Sequence, residues 1–132
     1  MGQIVAQGAA NLSGIYLKDL AQNANLYLGL FTNVISGEIN EAVLVDLVEP
    51  TAVSYSRITL IPANWTILGN VASYPNQAFT VDLQVFGTLY GCFIASTPGM
   101  SGVLVVIDLF SPTISLINSG DTVNIAPTFN II

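Results

Sequence analysis

The sequence predicts an all-β fold, an antiparallel β-sandwich or barrel-like domain of about seven to nine short strands with one short N-terminal helix. Three observations carry this. Apolar residues alternate with a period of two over most of residues 25–126. Gly, Pro, Asn and Asp interrupt that alternation at short intervals, as turns require. No internal repeat and no linker divides the chain, so residues 1–132 read as a single domain.

The elements follow in order. Residues 1–13 are rich in Gly, Ala, Gln and Asn and read as a flexible or partner-dependent arm ahead of a β domain at 14–126. Residues 14–22 place Ile15, Tyr16, Leu17 and Leu20 at weakly helical spacing, enough for two turns. From Asn25 the period becomes two, with Leu26, Leu28 and Leu30 on one face of a strand and Tyr27, Gly29 and Phe31 on the other. Strands are expected at 42–48, ending at Glu49-Pro50, and at 54–60, where Tyr55, Arg57 and Thr59 share a face. Shorter ones follow at 65–68 and 77–83. The strongest, 89–96 and 102–110, are joined by a loop of hairpin length, Thr97-Pro98-Gly99-Met100-Ser101. Strands at 113–117 and 122–125 flank the turn Asn118-Ser119-Gly120-Asp121, where the Asp121 carboxylate is expected to cap backbone amides. Pro127 cannot donate to a ladder and should end the last strand. Beyond it the apolar Phe129, Ile131 and Ile132 form a C-terminal arm, 127–132, patterned to dock on a neighbouring subunit.

Composition sets the partner classes. Only 8% of residues are charged, against ~25% in a usual soluble domain. The surface must therefore be built from the ten Ser, ten Thr and eleven Asn, which tolerate burial against a neighbour better than Lys or Glu. That favours a protomer whose surface is largely interface, and a homo-oligomer. Lys18 and Arg57 are the only cations against eight carboxylates. Two positive groups cannot displace the counterions of a phosphate backbone or hold an anionic bilayer, so neither nucleic acid nor membrane is an expected partner. The N-terminus lacks a basic start with an apolar core, and a lone Cys92 between Gly91 and Phe93 reads as a buried, inert thiol. Both suit a reducing cytoplasm.

Catalytic equipment is hard to assemble from these residues. With no His and one Cys there is neither the commonest general base nor a thiolate or imidazole metal site, so no catalytic, cofactor or metal residues are assigned. Glu38, Glu41, Asp46 and Glu49 crowd one loop-rich stretch, while Asp82, Asp108 and Asp121 stand apart, an arrangement with no glycosidase signature. Arg57 is expected to pair bidentately with a carboxylate such as Glu49 and pin two strands together. Trp65 and Tyr74 would suit sugar stacking if exposed together, and core packing if not.

Three segments, in order, resemble a family of small bacteriophage virion proteins, tail-fibre-like and capsid-associated. They are Leu26-Tyr27-Leu28-Gly29-Leu30-Phe31-Thr32-Asn33; Glu49-Pro50 leading to Tyr55-Ser56-Arg57-Ile58-Thr59-Leu60 with Trp65 behind; and Gly87-Thr88-Leu89-Tyr90-Gly91-Cys92-Phe93-Ile94-Ala95 with the later Ser119-Gly120-Asp121-Thr122. The likeness spans roughly residues 14–127 and departs at Thr51-Ala52-Val53-Ser54, where the family has a Gly-containing stretch. It implies a structural role and carries no active site. The expected function is a capsid cement or decoration protein, assembled into the virion in the host cytoplasm and contacting the major capsid protein or other virion subunits. A tail, collar or baseplate component and a glycan- or receptor-binding module are the alternatives.

Overall fold

The computed structural model describes residues 2–18 and 25–131. The chain is mostly strand, 42% against 16% helix, and the all-β expectation with an N-terminal helix holds. The strands are β1 (Gln3–Ile4), β2 (Leu26–Phe31), β3 (Ile58–Leu60), β4 (Thr66–Leu68), β5 (Val71–Ser73), β6 (Gln77–Thr80), β7 (Gly87–Ala95), β8 (Leu104–Leu116), β9 (Thr122–Ile125) and β10 (Thr128–Asn130), with the helix α1 at Ala6–Lys18. They form an antiparallel five-stranded sheet in the order β1-β8-β7-β2-β3, a three-stranded sheet β10-β5-β4 and a ribbon β6-β9.

Alternation in β2 explains the two cores. Leu28 and Leu30 face the smaller sheets and join Leu60, Ile94, Ala72, Phe79, Val123 and Phe129 in a sandwich-like interior. Phe31, one residue on, points to the other face with Phe93, Leu104 and Ile107. That second face is closed by Val5 and by Ala42, Leu44 and Leu47. The β2–β7 register, Leu28↔Ile94 and Leu30↔Cys92, and the β7–β8 hairpin make these central strands the scaffold.

Several expectations are corrected. Residues 42–48 are not a strand: Ile39–Glu41 and Leu44–Asp46 are single 3₁₀ turns. With about three residues per turn, Leu44 and Leu47 fall on one buried side while Val45 and Asp46 face out. The Asp46 carboxylate accepts the Val43 N–H at 2.9 Å and closes the turn. Only Ile58–Leu60 of the 54–60 segment pairs, because the Tyr55 N–H turns back to the Ala52 carbonyl at 3.0 Å. The segments 102–110 and 113–117 are one strand, β8. Its register jumps from Ile114 opposite Leu89 to Leu109 opposite Gly91, so Pro112 sits in a bulged stretch that needs no ladder donor.

Both termini belong to the domain, which corrects the two arms. Residues 2–13 make β1 and most of α1. The Gly2 N–H donates to Thr128 O at 2.7 Å, the Val5 N–H to Val105 O at 3.1 Å, and Gln7 Oε1 accepts the Leu104 N–H at 2.8 Å. Gly8 lies against the Val105 carbonyl with no room for a Cβ. The Gly/Ala composition that reads as flexible is what lets the helix rest on β8. The end of the expected helix, 19–22, lies outside the described residues. At the other terminus, Pro127 follows the end of β9, but pairing resumes as β10, with Phe129 opposite Ala72.

Candidate functional site

Glu49 lies in the irregular stretch after the Leu44–Asp46 turn and Arg57 immediately precedes β3, and the structure brings them together. Arg57 Nε donates to Glu49 Oε1 at 3.0 Å and Nη2 to Oε2 at 2.8 Å, a bidentate pair. The remaining donors go to the β7–β8 hairpin loop: Nη1 to the Thr97 and Gly99 carbonyls, each at 2.8 Å, and Nη2 to Met100 Sδ at 3.4 Å. The guanidinium lies 4.9 Å from the centre of the Phe93 ring. Five contacts for five N–H groups leave the side chain 2% exposed and fully satisfied.

Tyr55, two residues from Arg57 on the same face, extends the network. Its hydroxyl donates to Glu49 Oε1 at 2.6 Å and accepts the Leu30 N–H at 2.9 Å, while its ring packs on Phe79 and Phe86. Burial, then the Glu49 carboxylate it serves, pushes the phenol well above its ordinary range. Tyr55, Phe93 and the loop carbonyls escaped the sequence reading. The shared face of Tyr55 and Arg57 was the only local signal for any of them. Chemically the arrangement is a strut: it ties β2, the 49–57 segment and the hairpin loop into one rigid unit, with no donor left for a ligand.

The other candidates are placed as follows. Trp65 is half-buried and Tyr74 is buried, their rings 5.0 Å apart and edge-on, with Trp65 also 5.6 Å from Phe129. The Tyr74 hydroxyl accepts the Ile61 N–H at 2.8 Å. The joint exposure that sugar stacking requires is not met. Phe129 is 7% exposed and belongs to its own core, correcting the subunit-docking reading for that residue. Ile131 is 42% exposed and its N–H donates to Asn70 O at 2.7 Å; Ile132 lies outside the described residues. Cys92 is buried, and burial followed by the nearby Asp108 charge pushes its thiol up to about 12. Asp121 Oδ2 accepts the Ile117 and Asn118 N–H groups at 3.1 and 2.9 Å, the expected cap. Among the described residues no three His, Cys, Asp or Glu side chains gather where a metal ion could sit.

What remains is surface. Two open grooves flank α1: one of about 680 Å³ runs between the helix, β1 and β10 past Ile4, Leu12 and Ile131. The other, about 390 Å³, lies between Leu12, Leu26, Trp65 and Ile67. No charged side chain lines either among the described residues. No family model matches the chain, and no curated protein matches it significantly.

Proposed function

We propose that this chain is a structural protein of a bacteriophage virion, a capsid cement or decoration protein that acts by packing against the major capsid protein or other virion subunits. The observation that carries the reading is the surface. Among the described residues, fifteen large apolar side chains are exposed, including Val53 at 88%, Leu83 at 92%, Val45 at 74% and Val34 at 71%. The sequence supplies charge at only 8% of positions to keep such a surface in water. Such exposure is what a subunit uncovers when taken out of an assembly. The Arg57 network supports the same role, because it holds the hairpin loop and the 49–57 segment in fixed positions before any partner arrives. Preorganised loops lose little entropy on docking.

The test is the stoichiometry of purified particles from the cells that make the protein, by quantitative mass spectrometry against the major capsid protein. Hundreds of copies per particle are expected. A few to a few dozen would move the protein to the tail, collar or baseplate, and its absence from particles would overturn the virion role.

A further inference from the structure

Residues 58–81 form a run of 24 positions without a charged side chain, in a protein of net charge −6. The fold gathers part of that run at one sheet edge. β4 is an outer strand of its three-stranded sheet and, among the described residues, pairs only with β5. All three of its residues are exposed, Ile67 at 55% and Leu68 at 74%, and Ile61 before them is 50% exposed. The two-residue turn Gly69-Asn70 sets Leu68 opposite Val71, so Thr66 and Leu68 bond β5. The Ile67 N–H and C=O therefore point away from the sheet, along its open edge.

Open edges invite pairing unless guarded. β8, whose outer edge beyond Ile107 pairs with no strand among the described residues, carries Asp108 and a bulge containing Pro112 there. β3, β6, β9 and β10 also lack charge and Pro, but each buries at least one side chain; β4 carries only Thr, Ile and Leu, all exposed. A partner rich in Lys or Arg would be drawn to the acidic stretch of Glu38, Glu41 and Asp46 instead. Two like-charged copies, by contrast, meet without opposed carboxylates only on a face that has none.

We infer that a second copy of this chain docks here, β4 against β4 in antiparallel register with Ile67 beside the partner's Ile67, and the groove lined by Trp65 and Ile67 flanking the contact. This concerns the isolated chain and stands independently of the virion reading.

Sedimentation velocity on the full chain tests it. The wild type should form a reversible dimer; Ile67→Asp should raise the dissociation constant at least tenfold; Leu83→Asp, on the exposed loop that follows β6, should leave it unchanged. A wild type that stays monomeric to millimolar concentration, or an Ile67→Asp chain that dimerises as before, overturns the proposal. Because the Asp substitution could loosen the hairpin, Ile67→Cys provides a second reading. Facing residues in such a pair sit about 5.5 Å apart, within disulfide reach, and buried Cys92 does not compete. Mild oxidation should give a covalent dimer from Ile67→Cys and little from Leu83→Cys. No dimer, or equal yields from both, overturns it.

Discussion

Gly29 has no room for a side chain, because a Cβ there would clash with the ring edge of Phe93, its cross-strand partner. The Phe93 ring can therefore close on β2 at Gly29, and the Arg57 guanidinium sits over that ring. A missing methyl group in one strand thus makes the seat for the Arg57 guanidinium. Gly29→Ala should cost roughly 1–3 kcal/mol by overpacking. Urea unfolding checks this; a cost below 0.5 kcal/mol (roughly that of an indifferent surface change) would mean the ring can slide aside freely.

Arg57→Leu removes five donors at once and strands the Glu49 carboxylate against the Tyr55 hydroxyl. The expected loss is about 3–5 kcal/mol, the range for breaking one side of a buried pair. Adding Glu49→Leu should recover part of it, since the uncompensated charge is then gone. A double-mutant cycle by chemical denaturation gives the coupling, and additive losses would show that the strut is not cooperative.

Phe129→Ala should destabilise the isolated domain by about 3–5 kcal/mol, as for other buried aromatics. Trp65, whose ring contacts Phe129, should report the change as a red shift of its emission. Normal thermal stability would return Phe129 to the role of a free docking residue.

Alkaline pH should weaken the fold. Cys92 is pushed up to about 12 and Tyr55 is also raised, so both stay protonated in the folded state while the unfolded chain ionises from its ordinary values. Above those values the unfolded state holds fewer protons, and stability falls as pH rises. Stability should be level between pH 6 and 8 and then drop by roughly 1 kcal/mol per pH unit for each group that titrates, Cys92 from about pH 9 and Tyr55 above about pH 10. Urea midpoints from pH 7 to 11 under reducing conditions measure it. A midpoint that holds steady to pH 11 would mean both groups ionise as easily folded as unfolded.

Local pattern alone determined the class of this fold, its central strands β2 and β7, the first half of β8, the Asp121 cap and the pairing of Arg57 with a carboxylate such as Glu49. Each depends on alternation, turn residues or the scarcity of charge, all visible within a short window or in the composition. The run 42–48 misled because its apolar residues suit either period, and Leu44 with Leu47 bury equally well three apart. The termini were decided only in three dimensions. Gly8 and its small neighbours read as a loose arm until β8 lies beneath them, and Phe129 reads as a docking residue until Ala72 and Trp65 enclose it. Those contacts join positions more than fifty residues apart in sequence. Long-range packing of that kind leaves no periodic trace in either segment by itself, because the complementary surface is contributed by a distant part of the chain.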